Sequence, residues 1–441
     1  MAKGLRNLPL AFEEPQLTHF AGMALIHAFC QKLGLKRLVQ RCLRPVPQHR
    51  DFHPAEMVLA LLYAIIAGLD RVNETQILQY NGAFQRIVGL TRFPGPSALR
   101  RFLKRLAPRT VRQLVQLHDR LRRELFARPR PRTSLVFDLD SVVLVVYGHA
   151  EGARVGYNPK KPGRRSYHPL LCFEAHRQEF WHGSLRPGNT VAATGAVPFL
   201  RVCLAKVPPG IARSRIRVRG DAGFFGRRVV GFLDAERLGY AIVAKEYGPI
   251  KSRARECRFR KLRTGWEVGE FRYQPARWAT PHRFVVVRRP IPADPEEAKQ
   301  LTLFTDQTYA YHVLVTNLRV QPWRVWRFYA QRARIEKHIR ELLHDYPLAK
   351  IPTADWVANV AFFQLLLFAF DLVHYFRRLC LPPGYRTKTL KTVRLELLVI
   401  PGRLVRTKHR YRLKLPRHYH FEAAFRYALA KIHALQPAGI R

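Results

Sequence analysis

The change of chain texture between residues 135 and 246 restricts the fold more than any other feature. Three successive stretches, SLVFDLDSVVLVVYG, YHPLLCFEA and EFWHGSL, are rich in β-branched and aromatic residues and are separated by polar or Gly-containing turns. That pattern reads as three adjacent strands. An apolar helical stretch from Ala196 to Leu204 follows, then a strand ending at Asp221 (RIRVRGDAGFF), a helix carrying RRVVGFLDAERL and the strand GYAIVAKE. Strands followed by strand–helix–strand describe an α/β chain, a mixed sheet flanked by helices.

The flanking segments have other textures. Residues 1–130 are helical in period: Met57, Val58, Leu61, Leu62, Ile65 and Ile66 make an apolar stripe, with Asp51 and Pro54 as start signals. We take this segment as a helical N-terminal domain. Near its end Pro94 and Pro96 interrupt the chain and Ser97 can cap. ALRRFLKRLAPRTVRQL then sets Arg100, Arg101, Lys104 and Arg105 beside Leu99, Phe102, Leu103 and Leu106. Such a basic amphipathic helix either lies along phosphates or is the solvated face of a core helix. From 247 to 319 the short strands WEVGEFRYQ, HRFVVVRR and YHVLVTNL predict a β-rich insertion subdomain. It would divide the α/β core into 131–246 and 320–380. The second part carries the helical run WRFYAQRARIEKHIREL and an apolar helix over 355–379, and 381–441 follows as a helical, basic C-terminal region.

Charge narrows the partner. Seventy-seven Lys and Arg against thirty-one Asp and Glu give a formal charge of +46, far more than solubility requires, so a polyanion is implied. The basic residues recur from 36 to 417, which favours a long nucleic acid over a membrane patch. Val357 to Phe376 is apolar but contains Asn359, Gln364, Asp371 and His374, groups that are costly in lipid, and reads as a buried helix and not a membrane span. MAKGLRNLPLAFEEP has no apolar signal-like region, so a cytoplasmic location is expected. Six cysteines without a C-x-x-C pair suggest neither zinc nor disulfides, and His418 with His420, amid Arg and Lys, read as basic surface.

Asp138 and Asp140 alternate with Phe137 and Leu139, so both carboxylates leave the same face of the strand. Asp221 ends another apolar strand, where Gly220 and Gly223 let the backbone turn, and strand ends are where α/β sheets place their sites. Tyr329, Arg332 and Glu336 are spaced three and four apart, on one face of a helix, and Arg340 joins them. Three carboxylates from two strands and a helix suit a pair of Mg²⁺ ions, which prefer oxygen ligands. Arg332, with Tyr329 and Arg340, would hold a phosphate. Singly each signal is weak: an Asp at a strand end is commonly a turn residue, and a Glu among arginines is commonly a surface ion pair.

Over roughly residues 50–430 the chain resembles the DDE transposases of bacterial insertion sequences, in particular insertion-sequence family thirteen-eighty. The similarity rests on FDLDSVV, GYNPKKPGRRSYHPLL (Gly156 to Leu171), SLRPGNT (Ser184 to Thr190), RGDAGF (Arg219 to Phe224), the Y-x2-R-x3-E of Tyr329, Arg332 and Glu336, and IPGRLVRTKHRYRL. It implies an RNase H-like core with a β-rich insertion between the second and third acids, and dependence on two Mg²⁺ ions, with Mn²⁺ able to substitute. It further implies cutting at terminal inverted repeats followed by strand transfer into target DNA, a homodimer on paired double-stranded DNA ends, and a bacterial, nucleoid-associated setting. The first acid would be Asp140, because Ser141 supplies the small hydroxyl residue that follows it in the family, with Asp138 as competitor. Asp221 matches the second acid and Glu336 the third, and Glu341 points away. Where relatives carry Lys seven residues after that Glu, this chain has Leu343; Arg340 is the candidate replacement.

Lys160, Lys161, Arg164 and Arg165 crowd one loop, either for phosphate contact or as a solvated basic loop. Tyr157, Tyr167 and Trp181 would stack on unpaired bases or sit in the core. Arg186 offers a phosphate contact or a structural turn. Against the transposase stand two alternatives: an RNase H-like DNA nuclease without strand transfer, and a catalytically inactive DNA-binding or repressor remnant.

Overall fold

The computed structural model describes residues 11–43, 51–126, 133–262, 265–291, 304–306, 308–408 and 410–436. It divides into two compact units, one formed by Met1–Leu125, His344–Thr353 and Val357–Arg441, the other by Phe126–Leu343 and Ala354–Trp356.

The second unit is built on a ten-stranded mixed sheet. Its strands are β1 (Leu135–Ser141), β2 (Leu170–Glu174), β3 (Glu179–Ser184), β4 (Ile216–Gly220), β5 (Gly239–Val243), β6 (Arg260–Lys261), β7 (Glu267–Tyr273), β8 (His282–Pro290), β9 (Phe304–Thr305) and β10 (Tyr309–Thr316). The order is β6-β7-β8-β10-β5-β4-β1-β2-β3, with β9 beside β10. β4 runs parallel to both β1 and β5, and the other pairs are antiparallel. Helices in this unit are α1 (Ala196–Ala205), α2 (Arg227–Ala235), α3 (Gly248–Glu256), α4 (Pro322–Ala330) and α5 (Ala333–His344).

Strand alternation sorts the side chains. Leu135, Phe137 and Leu139 of β1, Ile216 and Val218 of β4, and Tyr240 and Ile242 of β5 share one core with Phe199 and Leu200 of α1 and Val229, Val230 and Leu233 of α2. The intervening residues, Asp138 and Asp140 among them, face the other way. There Ala241, Val285, Val287 and Leu314 pack with Val325 of α4.

Two expectations change in this unit. The strands expected as a separate insertion extend the same sheet: β10 pairs with β5 through Leu314–Val243, Val315–Ile242 and Thr316–Ala241, which covers what would otherwise be an exposed strand edge. The single helix expected across Tyr329 and Glu336 is two, because the chain leaves α4 at Ala330 and re-enters α5 at Ala333.

In the first unit, helices Met23–Lys32, Leu35–Cys42, Pro54–Ala67, Pro96–Lys104, Pro108–Phe126, Trp356–Cys380 and Glu422–Ala434 accompany a small antiparallel sheet of Leu17–Thr18, Gly402–Thr407 and Arg410–Lys414. His53, not Asp51, caps the helix at Pro54 in a capping box with Glu56. Gly95 precedes Pro96 at the next start, and Ser97 does not cap. The expected basic helix is interrupted before Pro108, since Pro at a first turn begins a new helix more easily than it continues an old one. The apolar helix expected in the catalytic core belongs with these N-terminal helices instead. By length and composition Trp356–Cys380 could cross a membrane. Most of it is buried within the protein, and its polar groups have partners: Asp371 accepts from His118 Nε2 at 2.7 Å and Asn359 Oδ1 accepts from the Thr353 backbone at 3.2 Å. Within the C-terminal region expected as helical, RLVRT and RYRLK form a hairpin, their side chains alternating at period two.

Two glycines of the sequence motifs explain each other. A Cβ on Gly156 would lie 2.0 Å from the Gly188 carbonyl oxygen, and one on Gly188 would lie 2.2 Å from that of Ser166. Backbone meets backbone, so neither site has a flexible side chain that can give way. Gly188→Ala is therefore expected to cost about 1–3 kcal/mol; a urea midpoint equal to wild type in that variant would contradict this packing.

Candidate active site

Register across β1 and β4 decides what the two neighbouring acids do. Asp138 lies opposite Arg219 in the parallel pair, and the guanidinium takes both carboxylate oxygens, Nε to Oδ1 at 2.5 Å and Nη2 to Oδ2 at 2.8 Å. Its remaining arm donates to the Phe328 carbonyl of α4 at 2.6 Å. Both side chains are buried. Burial raises the Asp138 carboxyl above its ordinary range, against the pull of Arg219. Asp138 is thus held in a structural ion pair with no free oxygen face.

Asp140, two residues on, meets a different arginine. Arg332 sits in the corner between α4 and α5, its backbone N–H donating to the Tyr329 carbonyl at 2.8 Å. Its Nη2 lies 3.0 Å from Asp140 Oδ2 and 4.0 Å from Asp221 Oδ2, and its Nη1 lies 3.2 Å from Glu336 Oε1. Nη2 also donates to the Leu139 carbonyl at 3.1 Å. One buried guanidinium is therefore the focus of three carboxylates from β1, the end of β4, and α5. Asp140 forms the floor, while the Asp221 and Glu336 side chains are 42% and 61% exposed, so the cluster opens to solvent on their side.

The backbone fixes two of these acids. Asp140 Oδ1 accepts from the Ser141 N–H at 2.8 Å. Asp221 caps a short turn, Oδ1 accepting from the Gly223 N–H at 2.9 Å, and its other oxygen is left facing the cluster. Burial, opposed by Arg332 and reinforced by Asp221 and Glu336, pushes the Asp140 carboxyl up to about 6. Burial alone would weaken the charge on Arg332, but Asp140, Tyr329 and Asp221 outweigh it and hold the guanidinium more firmly protonated than usual. Burial likewise raises the Tyr329 hydroxyl to about 12.

The donor set is all oxygen, which fits a hard divalent cation. Three carboxylates face one arginine, so negative charge exceeds what it neutralises, and Asp221 and Glu336 add to the burial that chiefly raises the Asp140 carboxyl. Among the described residues no three His, Cys, Asp or Glu groups are already drawn together at ligating spacing; the acids reach Arg332 in place of one another.

A histidine that the sequence did not signal belongs to this neighbourhood. His168 Nε2 is 3.0 Å from Ser141 Oγ, and its Nδ1 is 2.6 Å from the Thr190 carbonyl. A carbonyl only accepts, so Nδ1 carries the proton and Ser141 donates to Nε2. Burial lowers the imidazole's proton affinity, which suits that neutral form. SYH gave no hint of it, since the link spans 27 residues of sequence.

The remaining candidates separate. Arg186 does not face outward for phosphate: Nε donates to the His168 carbonyl at 2.9 Å and Nη1 to that of Thr194. It is buried and holds the turn of SLRPGNT, so of its two expected roles the geometry matches the structural turn and not the phosphate contact. Lys160, Lys161, Arg164 and Arg165 are exposed, with Lys161 Nζ donating to Tyr147 Oη at 2.7 Å and Arg165 near His149 Nδ1 at 3.2 Å. Tyr167 and Trp181 are core residues and Tyr157 is exposed. Arg340 is exposed on α5, and Glu341 is buried beside His338, away from the acids. Arg100, Arg101 and Lys104 lie in the first unit, where Arg100 donates to Asn73 and the other two are exposed.

A family model described as transposase DDE domain group 1 matches residues 2–437. No curated protein matches the chain. Among solved structures, a piggyBac transposase synaptic complex with hairpin DNA is similar at a TM-score of 0.42 and 10% identity, over 87% of this chain and 79% of that one. A Mos1 transposase paired-end complex with the left transposon end gives 0.18 and 12%, over 45% and 60%. A pre-cleavage Mos1 transpososome gives 0.17 and 13%, over 53% and 78%. Likenesses this distant add nothing to the family match.

The two β1 acids should differ in what they do for stability. Asp138→Ala strands a buried guanidinium and is expected to cost about 3–5 kcal/mol. Both carboxyls are held above their unfolded values, so each costs the fold stability as pH rises, for Asp140 fully so above about 6; the difference is that Arg332, unlike Arg219, keeps other carboxylates when Asp140 is neutralised. Asp140→Asn should therefore not destabilise at pH 7 in the absence of divalent cations. Chemical denaturation of both variants checks this, and equal losses in the two would refute the assignment.

Proposed function

Because this chain belongs to the transposase family with a group 1 DDE domain, we propose that it is a DNA transposase whose Asp140, Asp221 and Glu336 hold divalent metal. In this reading it cleaves DNA at the terminal inverted repeats of an insertion sequence and transfers the strand into target DNA. The family makes phosphoryl transfer on DNA the expected chemistry. The observation that carries the residue assignment is the convergence of the three acids on Arg332, inside a chain of formal charge +46.

Bound Mg²⁺, or Mn²⁺ in its place, would supply Lewis acidity to the oxygens of the reacting phosphate and of the attacking and leaving groups. The protein's own groups divide the remaining work. Asp140 offers a fixed oxygen on a rigid strand, and Asp221 offers one anchored by the Gly223 N–H. Glu336 offers one on a helix with freedom to adjust. Arg332, already held charged, presents its guanidinium to a phosphate oxygen, a pairing that is geometrically specific. Tyr329 and Arg340, with the exposed Lys160, Lys161, Arg164 and Arg165, are proposed to steady the neighbouring backbone phosphates, and Arg101 and Lys104 to contact DNA from the first unit.

The strand order β3-β2-β1-β4-β5, with β2 antiparallel and β4 parallel to β1, supports an RNase H-like core. The narrower placement in insertion-sequence family thirteen-eighty rests on the motifs SLRPGNT, RGDAGF and Y-x2-R-x3-E. A homodimer on paired ends follows from the same reading.

Labelled DNA bearing the element's own terminal repeats, incubated with Mg²⁺ or Ca²⁺, tests the proposal. Nicking at the repeat boundary in Mg²⁺, reduced more than about 100-fold in Asp221→Ala, is the expected result. Joined products in the presence of target DNA separate a transposase from a nuclease. Binding without any cutting would overturn the proposal in favour of an inactive DNA-binding protein. In the same assay Arg340→Ala should bind end DNA more weakly; unchanged binding removes Arg340 from the phosphate contacts.

A further inference from the structure

The second unit has another cationic feature, at the opposite end of β1 and β4 from the acids. A cleft of about 770 Å³ opens where those strands begin, between the segment Ser214–Arg217 and helix α4. Arg215, Arg217, Arg324, Arg327 and Arg334 line it, and all five are exposed. Among the described residues no Asp or Glu lines it, and none of the five arginines forms an ion pair with a carboxylate. Its floor includes Arg219, already committed to Asp138.

Five uncompensated guanidinium groups around one concavity repel each other, and low-dielectric walls strengthen that repulsion. A surface that merely needed solubility would spread them or intersperse acids. Rings stand among them: Phe328 lies under Arg217 at 5.6 Å, and Trp323, 36% exposed, is 5.4 Å from Arg324. Arginine planes with an accessible indole are the elements from which nucleic-acid backbone grooves are built. From Leu135, at the cleft, to Asp140 the strand advances five residues, roughly 17 Å at about 3.3 Å per residue. A phosphate at the Leu135 end of the cleft is therefore not one held at the acids.

We propose that this cleft is a second phosphate-binding site, taking the DNA backbone at a point remote from the DDE cluster. The proposal rests on the reading of the chain as a DNA-handling enzyme, but not on its cutting activity. The occupant is a phosphodiester chain, because successive phosphates satisfy successive arginines in a way that one anion does not.

The test uses the full-length protein with Ca²⁺ and duplex DNA of arbitrary sequence. Phenylglyoxal modification of arginines is read by mass spectrometry with and without the DNA. Arg215, Arg324 and Arg327 should be protected. The triple variant Arg215→Gln, Arg324→Gln, Arg327→Gln, checked for an unchanged melting transition, should lower the slope of log affinity against log salt by about 0.9 for each phosphate that the variant no longer neutralises, near 3 in all. Unprotected arginines on DNA-bound protein, or an unchanged slope, overturn the proposal. So does equal protection by inorganic phosphate at matched phosphate concentration, which marks an isolated anion site, or protection by poly-glutamate and not by DNA, which marks an acidic protein partner. Protection with no Mg²⁺-dependent nicking of end DNA would leave the cleft standing and sink the catalytic reading; the reverse pattern would do the opposite.

Discussion

β1 and β4 each deliver one acid to the cluster, and what fixes those strands against each other on the acid-bearing face is the ion pair between Asp138 and Arg219. A buried pair of this kind adds little net stability, because desolvation consumes most of the Coulomb energy; its value lies in register. A slip of β1 by one residue would turn Asp138 and Asp140 toward the apolar core of α1 and α2, away from Arg219. The third arm of Arg219, on the Phe328 carbonyl, extends the same constraint to α4. The corner that carries Arg332 begins just after that helix ends. The geometry of the acids is thus downstream of an interaction that contains none of them.

Much of this was legible in the chain. Apolar residues alternating with Asp138 and Asp140 announced a strand with acids on one face, and the glycines around Asp221 announced a strand that ends there. Residues three and four apart put Arg332 near Glu336, and that pair forms. What the sequence withheld were partnerships set by the tertiary fold. Nothing local tells FDLD which acid will meet Arg219, eighty-one residues away. Nothing in RPGNT shows that Arg186 turns inward onto carbonyls and not outward to solvent.

The misread elements share a cause. Periodicity reports which face of an element is apolar, not which neighbour covers it. The strands from Glu267 to Thr316 read as a separate β-rich piece because their texture is β, yet their edge is completed by β5. Trp356–Cys380 follows α5 in sequence but shares a unit with the N-terminal helices, since a helix apolar on nearly every side needs enclosure from several directions. The break at Gln331–Arg332 is subtler, for no Gly or Pro marks it. Arg332 gains at that corner what a straight helix would deny it, contact with the Leu139 carbonyl and with acids on two strands.

Arg332 also bears on how such a site can be switched between states. In the structure its guanidinium neutralises the acids that the proposed reaction assigns to metal. Removing it by deprotonation is ruled out by its own raised proton affinity, so it must share the acids or move. Under the proposed function a phosphate bound together with the metal would resolve the conflict: it would offer Arg332 two oxygens in bidentate geometry, and Asp140, Asp221 and Glu336 would be left to hold the cation. Metal and phosphate would then favour each other's binding through one side chain. That coupling would follow from charge, because either ligand entering singly would leave one of the two buried groups, Arg332 or Asp140, without its counter-charge.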